Sequence, residues 1–341
     1  MSRRVLLGGC VAALLLLSAA CGGGGRPAAT PTRTAPPATV TPSATPTPTP
    51  TPTGPAVPAT LSGRAGAAGP VLAVKVDNTE PAHPQAGLAA ADVVYVEQVE
   101  GGLTRLLAVF STTVPPLVGP VRSARESDLE LLAQYGRVGF AFSGANTGVL
   151  AEVQAAPVLA MAGGPGLARA GNRRAPYNLM ADPRVLVGRA AGAALPRDVG
   201  LRYGPLPAGG QPAAGATATW PGARLQWRWS PEGRWLLSMD GRPDLAAEGG
   251  QLGPTTLVVQ YVDVVPSRYA DVNGQVTPYT KTVGSGPVLV YRDGQVLQGT
   301  WSRPAPGAPT RYLGPGGTDL LLAPGQVWVV LLDKARPVTP G

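Results

Sequence analysis

Between residues 77 and 125 the chain intersperses carboxylates with arginines: Asp77, Glu97 and Glu100 against Arg105, Arg122 and Arg125. Two carboxylates across a cleft can divide acid and base duty at a scissile bond. Arginines instead offer forked hydrogen bonds to a phosphate or carboxylate. In Gly119-Pro120-Val121-Arg122-Ser123-Ala124-Arg125, at the approach to a helix, two arginines three apart share a face if the turn is helical. Cations there oppose the helix dipole, so an anion is expected between them. It is either an internal acid such as Asp77 or Glu97, or a ligand's phosphate or carboxylate. The Asp92–Phe110 stretch reads as a β-hairpin turning at Gly101-Gly102. A two-residue loop pairs Glu100 with Leu103 and Gln98 with Arg105, grouping Glu100, Gln98 and Arg105 on one face and Tyr95, Glu97 and Thr104 on the other. Two readings stay open: a Glu100–Arg105 ion pair stapling the hairpin, or a polar cluster lining a cleft.

Other chemistry is scarce. His83 is the single histidine, in a Pro81-Ala82-His83-Pro84 setting that reads as an extended surface turn. Cys10 and Cys21 both precede the folded body, which therefore holds no disulfide, thiolate metal site or Cys nucleophile. Ser143-Gly144-Ala145-Asn146 follows one expected strand, as Asp77-Asn78 follows another, and could cradle an anion before a helix. It matches neither Walker A nor the dinucleotide fingerprint, and its plainer reading is an ordinary strand-to-helix turn. No cofactor and no metal is implied. The formal charge of +8 comes from 28 basic and 20 acidic residues; only Lys75, Lys281 and Lys334 are lysines, and no basic run forms. Such diffuse charge argues against nucleic acid as a partner.

The elements that must position these residues follow from composition and pattern. With 46 Gly and 39 Pro in 341 residues, turns and strands must dominate over long helices. Arg3-Arg4, the apolar run from Val5 to Leu17 and Ser18-Ala19-Ala20-Cys21 make residues 1–20 a lipoprotein-type signal, with Cys21 as the lipidated first mature residue. Residues 21–60, rich in Pro and Thr, cannot bury a core and read as a disordered tether. The fold class expected is α+β or mixed α/β. An N-terminal mixed-sheet domain (61–205) carries helices near Ser127–Tyr135, Val149–Gln154 and Asp182–Ala193. A β-rich C-terminal domain or lobe (206–341) holds all six Trp. There Thr255–Val265 reads as one long strand, and Leu320–Ala323 with Val327–Leu332 as a hairpin about Pro324-Gly325.

Several motifs resemble the YerB-like bacterial lipoproteins, a family defined by a paired domain of unknown function. They are Val76-Asp77-Asn78, Pro84-Gln85-Ala86-Gly87-Leu88, Glu100-Gly101-Gly102-Leu103-Thr104-Arg105, the Gly119–Arg125 segment, Arg174-Ala175-Pro176-Tyr177-Asn178, Gly284-Ser285-Gly286 and Gly299-Thr300-Trp301. Tyr177 stands where the family is expected to have His. The resemblance implies an extracytoplasmic address on the outer face of the cell membrane and no established reaction. Its motifs supply a candidate ligand-binding set: Asn78, Thr104, Arg105, Arg122, Ser123, Arg125, Arg174 and Asn178. Two functions are weighed: a non-catalytic module for an anionic or polar cell-wall component or an envelope protein, and a hydrolase or transferase on wall polymer using Asp77, Glu97 or Glu100.

Overall fold

The computed structural model describes residues 58–340; the expected signal, Cys21 and the tether as far as residue 57 lie outside the described residues. The first half supplies β1 (Leu72–Asp77), β2 (Val93–Gln98), β3 (Thr104–Phe110), α1 (Glu126–Leu132), β4 (Gly139–Ala141), α2 (Thr147–Ala155) and β5 (Leu159–Met161). A small pair, β6 (Leu167–Arg169) and β7 (Leu179–Ala181), leads into α3 (Pro183–Arg189). Strands then predominate. First come β8 (Gln211–Pro212), β9 (Gly215–Trp220), β10 (Ala223–Ser230), β11 (Arg234–Met239) and β12 (Arg242–Pro243). β13 (Thr256–Val262), β14 (Val264–Ala270), β15 (Val276–Thr280), β16 (Gly284–Arg292) and β17 (Gln295–Arg303) follow. The chain closes with β18 (Arg311–Leu313), β19 (Val327–Asp333) and β20 (Thr339–Pro340).

Eleven of these strands form one mixed sheet, in the order β18-β17-β16-β13-β19-β2-β3-β1-β4-β5, with β8 pairing a separate part of β17. β19 lies between β2 and β13 and runs parallel to both, so it is the seam joining the two halves. The division expected at residues 205/206 therefore marks a change of sequence texture and not a break between sheets. Pairing also corrects two expected elements. Thr255–Val265 is not one strand: β13 ends at Val262, and β14 leaves to pair with β15. No hairpin forms about Pro324-Gly325, because β19 finds parallel partners and Leu322 makes only an isolated bridge to Tyr203.

The central strands are apolar on both faces, as a covered sheet requires. Leu72, Val74 and Val76 with Leu106 and Phe110 pack against Trp220, Trp227 and Trp235 of the β12-β11-β10-β9-β20 sheet and Leu186 of α3. Ala73, Val93, Leu107 and Val109 pack on the other face with Leu131 and Leu132 of α1 and Val149 and Val153 of α2. The α-helices among the described residues number three, of seven to nine residues each. The mixed sheet and β-rich second half are as expected, while helix content falls below a mixed α/β fold. Short helices suffice because β9–β12, not a helical layer, covers the first face.

Candidate functional site

The β2–β3 hairpin is one residue out of its expected register: Glu97 pairs Arg105 and Gln98 pairs Thr104. Three residues, Glu100–Gly102, make the turn as a short 3-10 segment, closed by Val99 N donating to Leu103 O at 2.8 Å. Gly101 and Gly102 take φ of +68° and +69°, where a side chain would be strained. A slip of one residue moves side chains between faces. Arg105 consequently falls in one row with Asp77 and Glu97 across β1, β3 and β2, and Thr104 leaves that face.

Glu100 accordingly does not pair with Arg105. Arg125 Nε and Nη2 donate to its two oxygens at 2.9 and 2.6 Å, and Thr277 Oγ1 of β15 donates to Oε1. Burial works against the carboxylate, but the Arg125 guanidinium outweighs it and holds the carboxyl below its ordinary range. Arg122 and Arg125 do not share a helical face either, because this segment is extended. Val121 bridges Val76, Arg122 N donates to Lys75 O at 2.8 Å, and Arg125 is the extended N-cap of α1. Asp128 Oδ2 accepts from Arg125 N at 2.6 Å, which starts the helix at Glu126. Arg122 Nε lies 2.8 Å from Asp77 Oδ2 without its N–H aimed at the oxygen, an ion pair lacking an aligned hydrogen bond. Its guanidinium stands 5.7 Å from the centre of the Tyr177 ring, and Asp77 Oδ1 accepts from Thr79 N and Oγ1 at 2.9 and 2.8 Å.

Arg105 is left between them. It donates to Ser123 O at 3.1 Å and has no carboxylate within ion-pair distance among the described residues. Packed in on nearly every side, it still keeps a partly exposed surface. Burial first, then the nearby Arg125 and Arg122 charges against the partial help of Asp77 and Glu100, push its guanidinium down to about 10. Three guanidinium groups thus meet two carboxylates. The arginines face outward: Arg122 and Arg125 side chains keep 26% and 12% exposure, against 1% and 8% for Asp77 and Glu100.

The remaining candidates lie elsewhere. Glu97 is sealed in a buried triad, its Oε2 3.1 Å from Lys75 Nζ, which also donates to Asp128 Oδ1 at 2.7 Å. Asn78 and Thr104, expected to face a ligand, are closed off: Asn78 Nδ2 donates to Thr104 Oγ1 and its Oδ1 accepts from Gln85 Nε2, each at 2.8 Å. They tie strand ends together. Arg174 is exposed on a separate cavity, and Asn178 Oδ1 accepts from Arg169 at 2.6 Å on the surface. Asn146 caps α2 through Gly148 N at 2.8 Å, the ordinary strand-to-helix role. Sequence reasoning missed Thr277 and the stacking of Tyr177 under Arg122, since nothing in a lone Thr or Tyr announces a partner about 180 or 55 residues away.

Two family models match in tandem, each described as a protein of unknown function (DUF3048): the N-terminal domain over residues 59–195 and the C-terminal domain over residues 216–329. The chain belongs to the DUF3048 family. These are the paired domains of YerB-like proteins, and both take part in the one central sheet. The protein named "Putative lipoprotein YerB" from Bacillus subtilis (strain 168) is 53% identical over 55 residues, a stretch covering 16% of this chain and 17% of that relative. The crystal structure of YerB protein from Bacillus subtilis superposes with a TM-score of 0.69 at 20% identity, over 83% of this chain and all of that one. The likeness is one of fold. No helix among the described residues is long and apolar enough to cross a membrane.

Proposed function

We propose that this protein is held on the outer face of the cell membrane by lipid on Cys21, and that its body binds an anionic cell-envelope ligand at Arg105, flanked by Arg122 and Arg125, without catalysing a reaction. The observation that carries the reading is Arg105 itself. A crowded guanidinium between two like charges is unfavourable unless an anion arrives. Burial of Asp77, Glu97 and Glu100, each already facing a cation, supports binding over hydrolysis. The relative's name and the signal before Cys21 support the anchor.

Arg105→Gln should melt within a few degrees of the parent and lose binding to inorganic pyrophosphate and to poly(glycerol phosphate), read by titration calorimetry at low salt. Arg125→Ala behaves differently, because it strands Glu100 beside Thr277 and costs about 3 kcal/mol of stability. Equal destabilisation in both variants, with no anion bound by the parent, would make the cluster structural.

Cys21→Ala should move the protein from the membrane fraction to the soluble fraction, or leave it unprocessed. One acyl-bearing residue and no spanning helix in the described body leave little else to hold it there. Unchanged fractionation of a chain that is still cleaved before residue 21 would overturn the anchor.

A further inference from the structure

Two cavities, of about 650 and 550 Å³, adjoin the segment around His83 and share His83 and Pro84 in their walls. His83 sits in an unusual pose. Its Nδ1 is 2.9 Å from Thr79 O, and a carbonyl only accepts, so Nδ1 carries a proton. Nε2 then lies 3.4 Å from Asp244 Oδ1, close enough for an ion pair but without an aligned hydrogen bond. A neutral imidazole would turn a lone pair toward that carboxylate, so the contact is attractive only when His83 holds a second proton. Burial opposes that proton, but Asp244 outweighs it and raises the affinity of the ring for it.

Asp244 is the more telling residue. Its side chain is fully buried in the wall of the larger cavity, and neither oxygen has a hydrogen-bond donor among the described residues. A buried carboxylate so poorly satisfied is costly, and the cation within ion-pair distance of it is the His83 ring, whose side chain is 20% exposed and lines both cavities. Neighbouring charges are already engaged. Glu80 pairs with Arg242 at the mouth, Asp240 accepts from Arg224 N, and Glu248 accepts from Gly87 N. Arg173 donates to Ala82 O and Pro84 O. Arg174, in the adjoining cavity, has no carboxylate within ion-pair distance among the described residues. Leu245 on the first cavity and Leu117 on the second are 52% and 44% exposed, apolar surface left in water along the same groove.

We propose that this groove binds a short peptide: an ammonium displaces the His83 proton at Asp244, an apolar stem lies along Pro84, Met239 and Leu245, and a carboxylate reaches Arg174. The site is separate from the arginine cluster and does not depend on the reading given for it. Binding exchanges one cation for another at Asp244: the His83 ring loses its proton and turns aside, the ligand ammonium takes its place with its own protons kept, and one proton leaves to solvent. Affinity therefore rises as pH rises through the His83 transition, until the ligand amine itself deprotonates.

The test is calorimetric titration of the full-length protein in detergent with Nα-acetyl-Lys-Ala-Ala, its Nε-acetyl form and its C-terminal amide. The parent tripeptide should bind with release of a proton. Blocking the amine, or Asp244→Asn, should weaken it roughly tenfold or more. Amidation and Arg174→Gln should each weaken it several-fold and, combined, no further. His83→Gln should keep binding and lose the proton release and the pH dependence. If Asp244→Asn does not fold, the blocked amine and His83→Gln carry the same comparison. Arg105→Gln should leave tripeptide binding intact, which separates this site from the arginine cluster. Absence of binding by the parent tripeptide at millimolar concentration, or equal binding of the amine-blocked form, would overturn the proposal.

Discussion

A chain ended at residue 205 should give no cooperative melting transition and should aggregate, although its sequence reads as a self-sufficient domain. The cut removes β19, and with it the parallel neighbour of β2. Val327, Trp328, Val329 and Val330 are all fully buried, and a long apolar edge along β2 would replace them. The opposite face of β1–β3 would also lose Trp220, Trp227 and Trp235. Burial of a large apolar side chain is worth about 1.5–3 kcal/mol, so these seven together are comparable to the whole of the roughly 5–15 kcal/mol by which a domain is stable. Trimming the other end has little effect. Thr60, Leu61 and Ser62 are buried, with Tyr203 Oη on Leu61 O and Gly325 N on Ser62 O. A chain starting at residue 58 should therefore melt like the full protein, while one starting at residue 63 should melt lower. Calorimetry of the three truncations checks this, and a cooperative transition from the chain ended at residue 205 would refute the single-sheet account.

What could be read in advance divides along the same physical line. Local signals worked: the helices expected near Ser127–Tyr135, Val149–Gln154 and Asp182–Ala193 form as α1, α2 and α3. Each depends on a few adjacent residues. Pairing between distant segments did not show, because period-two strands carry no mark of their partner. β19 has the same apolar texture whether it folds back as a hairpin or inserts between β2 and β13. The arginine cluster was legible in composition and not in pairing. Arg105, Arg122 and Arg125 do converge with Asp77 and Glu100, but a three-residue turn at Glu100–Gly102 decided which acid each would meet. His83 was the clearest failure, since its partner Asp244 lies 161 residues on, in a segment with no motif.

The largest effect of a single substitution is expected at Lys75. Its ammonium is fully buried between Asp128 Oδ1 and Glu97 Oε2, and all three side chains are at most 1% exposed. Burial, with the Asp128 charge added, pushes the Glu97 carboxyl up to about 8 despite Lys75. At neutral pH the triad accordingly holds one cation, one carboxylate and one carboxylic acid, a balanced set. Lys75→Met leaves Asp128 charged and unpaired beneath α1, which it also caps, and should cost about 3–5 kcal/mol. Adding Asp128→Asn should recover part of that loss. Glu97→Gln, by contrast, replaces a neutral group with a neutral group in the folded state and should be nearly silent only near pH 4.5 and below, where the unfolded carboxyl is protonated too. The folded state raises the proton affinity of Glu97 above its unfolded value, so the native state binds the extra proton. Stability from this group is therefore complete at low pH and lost as pH rises toward about 8. Melts from pH 5 to 9 should show Glu97→Gln gaining on the parent as pH climbs. A constant gap across that range would mean that Glu97 is ionised throughout, and that Lys75 balances two carboxylates rather than one.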